Sequence, residues 1–186
     1  MNLKYIVNEE TNGATVKHIL KNKLGLSTNL VNKLKRFGKI YKNSMPVYVN
    51  EVVKTNDIVE AIIDFDEDSE NVVPEPIDID ILYEDDLLIA LNKPANMVVH
   101  PTSLHTSGTM ANALMHYFNS KNLNIKIRPV SRLDRDTSGI IVFAKNQYIQ
   151  AVLTEQMQNN LFKKYYFGIV HGHVDQQKGT IDLPIE

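Results

Sequence analysis

Charge is laid out along this 186-residue chain in three blocks of different sign, and that partition limits the fold more than any single motif. Residues 1–63 hold ten Lys and Arg against five Asp and Glu, residues 64–86 hold none against eleven, and residues 87–186 hold ten against six. The acidic run Asp64, Asp66, Glu67, Asp68 and Glu70, with Pro74 and Pro76 beyond it, repels itself and has too little apolar surface to bury. Two basic units joined by a solvated linker are expected, with the boundary near residues 70–76 and domains over 1–72 and 73–186. Apolar residues at 43% and charged residues at 23% fit a soluble globular protein. No apolar run approaches the roughly 18 residues of a membrane span, and residues 1–8 are too short and polar a stretch for a secretory signal. The absence of cysteine excludes disulfides and thiolate metal sites, so a cytoplasmic protein is the expectation.

In the first unit Val16, Ile19, Leu20 and Leu24 recur at helical spacing, and Gly25 marks a stop. Ser27 is placed to cap a second helix whose inner stripe is Leu30, Val31, Leu34 and Phe37, and Gly38 stands where a helix C-terminus wants it. The outer face of that helix carries Lys33, Lys35 and Arg36, with Lys39 just past its end. Such a face is often no more than solvated surface. β-type runs follow over residues 39–42, 46–53 and 58–63, separated by turns at Asn43-Ser44 and at Thr55-Asn56-Asp57.

The order of two short helices, a Gly, the string Gly38-Lys39-Ile40-Tyr41-Lys42-Asn43 and a strand ending in Asp57-Ile58-Val59, over about residues 12–63, resembles the S-four-like RNA-binding module. Asn56 stands where that module commonly has Gly, a mild departure because Asn tolerates positive φ. The resemblance implies that the second helix and the turn after it meet structured RNA, which would place Lys33, Lys35, Arg36 and Lys39 on phosphates. Contacts of that kind position a protein without choosing a sequence.

The second unit opens with two strands around the acidic turn Glu84-Asp85-Asp86, the second strand closed by Lys93-Pro94. A turn and short strand are expected over 95–101, a helix over 108–118, another over 148–159, and an alternating strand over 163–172. Between the first of these helices and a five-residue apolar run lies the loop Ser131-Arg132-Leu133-Asp134-Arg135-Asp136-Thr137-Ser138-Gly139. It spends charge where an ordinary turn needs only Gly, Pro, Asn or Asp, as a scaffold does when it presents a reactive side chain. Taken alone, Asp134 or Asp136 would be read as a turn or capping carboxylate. A phosphotransferase of the Asp-x-Asp type would carry its motif directly after an apolar strand, and here the strand comes after the loop. His100 with His105 and His171 with His173 lack a carboxylate at metal-binding spacing, so no metal is expected.

Three strings in this unit closely resemble the RluA-type pseudouridine synthases. These are Lys93 to Pro101 with Asn96 in place of a Gly, Arg132-Leu133-Asp134-Arg135-Asp136-Thr137-Ser138-Gly139, and Lys164-Tyr165-Tyr166-Phe167-Gly168-Ile169-Val170-His171-Gly172 with Gly168 in place of an Ala. Ser131 precedes the arginine where many relatives have His. The resemblance implies an α+β protein, the S-four-like unit being followed by a domain with a mixed, mainly antiparallel sheet. It also implies isomerisation of uridine to pseudouridine in structured RNA, ribosomal RNA being favoured over transfer RNA, with no cofactor, no metal and no membrane. Asp134 would be the catalytic carboxylate, since an aspartate with a reference pKa of about 3.9 stays ionised near neutral pH. Tyr166 would pack on the uracil and Tyr165 would point to the opposite strand face. Arg132 would fill the space left by the flipped base, at a cost of a few kcal/mol for unstacking, and Arg135 would contact RNA or form a local ion pair. Relatives continue into a Thr-Gly-Arg-x-His-Gln-Ile-Arg run and supply a basic partner for the catalytic Asp. Neither is found before Pro184-Ile185-Glu186. The alternative expectation is a non-catalytic RNA-binding protein or an inactive fragment of such an enzyme.

Overall fold

A computed structural model describes residues 1–65, 72–103, 105–173, 175 and 177–183. The acidic residues Asp66, Glu67, Asp68 and Glu70, and the terminal Pro184-Ile185-Glu186, lie outside the described residues.

The first unit is built around a four-stranded antiparallel sheet in the order β1-β4-β2-β3, with β1 Asn2–Ile6, β2 Ile40–Lys42, β3 Met45–Pro46 and β4 Ile58–Ile62. Helix α1, Val16–His18, runs into a single π turn over Ile19–Lys23, and α2 covers Thr28–Arg36. Its core joins Val16, Ile19, Leu20, Leu30, Val31 and Leu34 from the helices to Ile40, Val59 and Ala61 from the sheet. Leu24 is only half-buried, and Phe37, read as core, is 51% exposed and packs instead on Phe65 with ring centroids 5.2 Å apart. The α2 ends follow directly from residue chemistry. Ser27 Oγ accepts from the Leu30 amide at 3.2 Å, and Gly38, at φ 64°, lets its own amide reach Lys35 O and the Lys39 amide reach Leu34 O. Ser27→Ala is expected to cost about 1 kcal/mol, read as a lower urea midpoint at unchanged slope.

The run over 46–53 is a strand only at its start. Beyond Pro46 the carbonyls of Val49 and Glu51 accept from the amides of Lys17 and Val16, so this backbone is spent on the open N-terminus of α1. The Asn43-Ser44 turn has both residues at positive φ, 52° and 66°, as a tight hairpin requires. Asn56 adopts φ 72° and so supplies the left-handed backbone that a Gly would.

The second unit is a three-stranded antiparallel sheet in the order β5-β6-β7, with β5 Asp80–Glu84, β6 Leu88–Lys93 and β7 Gly139–Ala144. All described strand pairs are antiparallel. Helix α3, Met110–Ser120, buries Met110, Ala111, Leu114, Met115 and Phe118 in one cluster with Ile89, Leu91, Ile141 and Phe143. Helix α4, Gln147–Gln158, has no fully buried residue, and its Tyr148 packs on the core of the first unit. Residues 95–101 form no strand. The carbonyls of Val98 and Val99 accept from the amides of Met110 and Ala111, which again closes a helix N-terminus.

Glu84 ties the corner together, accepting from Lys145 Nζ at 2.7 Å and from Tyr117 Oη at 2.6 Å. Burial pushes its carboxyl up, and these two donors outweigh that and hold it below the usual range. The return from the linker is fastened to α3, where Asn112 Nδ2 donates to Val73 O at 2.7 Å and the Glu75 carboxylate accepts from the Gly108 amide at 3.0 Å. No described helix is long and apolar enough to cross a membrane.

Candidate active site

The loop between residues 131 and 138 is held from inside by a lysine. Strand β6 alternates, and Ile89, Leu91 and Lys93 share its buried face, so the Lys93 side chain is carried into the interior with no exposed surface. Its Nζ donates to three carbonyls, Pro94 O at 2.9 Å, Met97 O at 2.8 Å and Arg135 O at 2.9 Å. Burial pushes its pKa down, and the carboxylates of Asp136 and Asp134 partly offset that by favouring the charged form. Asn96, at φ 63°, turns the 94–97 backbone so that two of these carbonyls converge on the ammonium.

The third carbonyl belongs to the turn that presents Asp134. The Thr137 amide donates to Asp134 O at 3.2 Å, closing a four-residue turn, and Leu133 packs on the second core while Asp134 projects to solvent. Arg135 is committed locally, its Nε and Nη2 meeting the two Asp136 carboxylate oxygens at 3.0 and 3.1 Å. That pairing holds Asp136 below the usual carboxylate range. Arg132 is exposed beside the turn. The fixed backbone therefore offers a free carboxylate flanked by one exposed guanidinium and one that is already paired.

A cleft of about 760 Å³ lies alongside, lined by Ser131, Leu133, Asp136, Thr137 and the start of β7 on one wall and by residues 162–167 on the other. Tyr166 and Asp136 line it; Asp134 and Arg132 are outside the lining. Residues 163–172 are not a strand in this structure, which corrects the expected alternation. A strand needs a ladder partner, and this segment has none among the described residues, leaving Tyr165 at 83%, Tyr166 at 59% and Phe167 at 106% exposure. Tyr165 and Tyr166 both contribute to the cleft lining.

The four basic residues of the first unit gather at and just past the end of α2. Lys35 and Arg36 are exposed, Lys33 Nζ sits 4.4 Å from the Phe65 ring centroid, and Lys39 Nζ pairs with Asp64 Oδ2 at 3.0 Å. Lys33, Lys35 and Arg36 lie in the last turn, which also suits the negative end of the helix dipole. No group of three or more His, Asp or Glu among the described residues is placed to hold a metal ion.

The model of the RNA pseudouridylate synthase family matches residues 87–186, which include the whole loop, Lys93 and the cleft. The chain belongs to this family. Among curated relatives it is 35% identical to the uncharacterized RNA pseudouridine synthase YhcT of Bacillus subtilis over 184 residues, covering 98% of this chain and 60% of that one. It is 36% identical to YjbO, another uncharacterized RNA pseudouridine synthase of the same organism, over 87% of this chain and 58% of that one. It is 46% identical to the ribosomal large subunit pseudouridine synthase D of Buchnera aphidicola over 114 residues, 61% of this chain and 36% of that one. The chain thus spans about 60% of the length of the curated relatives that it matches over most of its own.

Lys93 stands in the sequence as the first residue of the Lys93–Pro101 string, and its supporting role emerges only in the structure. It closes β6, and its phase with Ile89 and Leu91 places it on the core side. A lysine in core phase needs interior acceptors, and that requirement was the available signal.

Proposed function

We propose that this chain carries the catalytic loop of an enzyme that isomerises uridine to pseudouridine in structured RNA. The observation that carries the proposal is an exposed Asp134 on a turn fixed by Lys93, inside the segment matched by the pseudouridylate synthase family. The reaction breaks the N1 glycosidic bond and rejoins the base through C5, so atoms balance within one nucleotide and no co-reactant is needed. Asp134 supplies the anionic group at the reacting sugar and base, Tyr166 packs on the uracil in the cleft, and Arg132 occupies the stack that the base vacates. Arg135 keeps Asp136 paired and faces the RNA backbone as part of that pair. Residues 1–72 act as an S-four-like RNA-binding domain, with Lys33, Lys35, Arg36 and Lys39 on phosphates, and residues 73–186 form part of the catalytic domain. Ribosomal RNA is favoured over transfer RNA by the S-four-like likeness and by the ribosomal name of one relative. The compartment we assign is the cytoplasm.

A second reading has its own support. Residues 163–172 find no ladder partner among the described residues and Asp134 lies outside the cleft lining, which fits a piece that binds RNA and turns over poorly. Tritium release from C5-labelled uridine in unmodified bacterial RNA, run with an RNA-binding titration against salt, separates the two. Release above the protein-free rate supports the enzyme. Steeply salt-dependent binding without release leaves the binding piece, and neither result overturns both readings.

A further inference from the structure

The basic end of α2 is already engaged by two residues of the same chain, Asp64 and Phe65. Asp64 Oδ2 lies 3.0 Å from Lys39 Nζ. The next residue, Phe65, packs its ring on Phe37 at 5.2 Å with a 46° tilt, while Lys33 Nζ lies 4.4 Å from the Phe65 centroid. Two of the four cations are thereby engaged by consecutive residues, and the aromatic contact holds the carboxylate where it can meet Lys39. A carboxylate on a lysine presents the same charge and acceptor geometry that a phosphate oxygen would. This pair is part-exposed, with side-chain accessibilities of 32% for Lys39 and 46% for Asp64, so a competing anion can reach and displace it.

We propose that Asp64, anchored by Phe65, is an internal competitor for the phosphate site at Lys39, so that RNA must displace it to bind along α2. The proposal rests on the reading of α2 as an RNA-contacting face and adds to it a set point. Affinity is held below what the four cations could deliver, and phosphates in the right place recover Lys39 by exchange.

The test uses the full chain and a short unmodified RNA stem-loop at low salt, with fluorescence anisotropy as the readout. Lys39→Met should weaken binding several-fold. Asp64→Asn should tighten it by roughly two- to fivefold, the range expected for a part-exposed ion pair. In the Lys39→Met background Asp64→Asn should do nothing, because Asp64 acts through Lys39. Glu60→Gln, which removes one negative charge from the Lys4–Glu60 pair on the sheet, controls for net charge and should tighten binding less. If Lys39→Met leaves affinity unchanged, the RNA face is elsewhere and the proposal falls with it. If Lys39→Met weakens binding but Asp64→Asn also weakens it, leaves it unchanged or matches Glu60→Gln, the RNA face stands and the competition is overturned.

Discussion

Asp134→Asn is expected to lower the rate of tritium release by at least about a thousandfold while RNA affinity stays within about twofold. The reasoning is local. The Asp134 backbone carbonyl holds the turn through the Thr137 amide, and that bond is independent of the side chain. The carboxylate is exposed, so an amide of the same shape should change stability by no more than about 0.5 kcal/mol. What the amide cannot do is remain anionic at a reacting centre. Initial rates with saturating RNA, beside an anisotropy titration, read both quantities on one preparation. Retention of a tenth or more of the rate would move the chemistry to Asp136, the carboxylate that does line the cleft.

Lys93→Met is expected to destabilise the chain by about 3 kcal/mol and to free the loop that carries Asp134. Two effects oppose each other. Methionine removes a buried ammonium whose desolvation is costly, and a well-packed apolar substitute for a buried ion can be neutral. Here, however, the partners are three carbonyls that stay behind, and a charged hydrogen bond lost from a buried site costs about 1.5–3 kcal/mol, with the three far from additive. The unsatisfied carbonyls decide the sign. A urea melt should show a lower midpoint at unchanged slope, and the Thr137 amide should exchange faster because the Arg135 carbonyl beneath its turn is no longer held. A stable variant with a protected Thr137 amide would show that packing alone fixes the loop.

Helices in this chain announce themselves, because their caps are written locally. Ser27, Thr109 and Asn146 each accept from an amide three residues on, and Gly38, Asn122 and Asn160 close the ends of α2, α3 and α4 at positive φ. Strands were less legible, because alternation says which side chains share a face and nothing about where the backbone bonds. Residues 46–53 and 95–101 carry β-favouring valines, yet both give carbonyls to helix N-termini. Residues 163–172 alternate and find no ladder partner among the described residues. Strand β1 went unread because its five residues hold only Leu3, Tyr5 and Ile6 as apolar members, and its identity comes from β4, far away in sequence. The loop around Asp134 was legible from its charges and its motif. Its support was not, since a lysine with three interior acceptors exists only once β6, the 94–97 turn and the loop have met.

The pairing of β1 with β4 puts Asn2 opposite Ile62 and Ile6 opposite Ile58. The opening strand therefore has no ladder partner until the chain has grown by about sixty residues, which takes roughly 3–12 s at ordinary translation rates. During that interval α1 and α2 can form their own turns, but the sheet that covers them cannot close, and closure must then meet the entropy of a long loop. The order of synthesis thus makes the last strand of the first unit, rather than its first, the event that completes it.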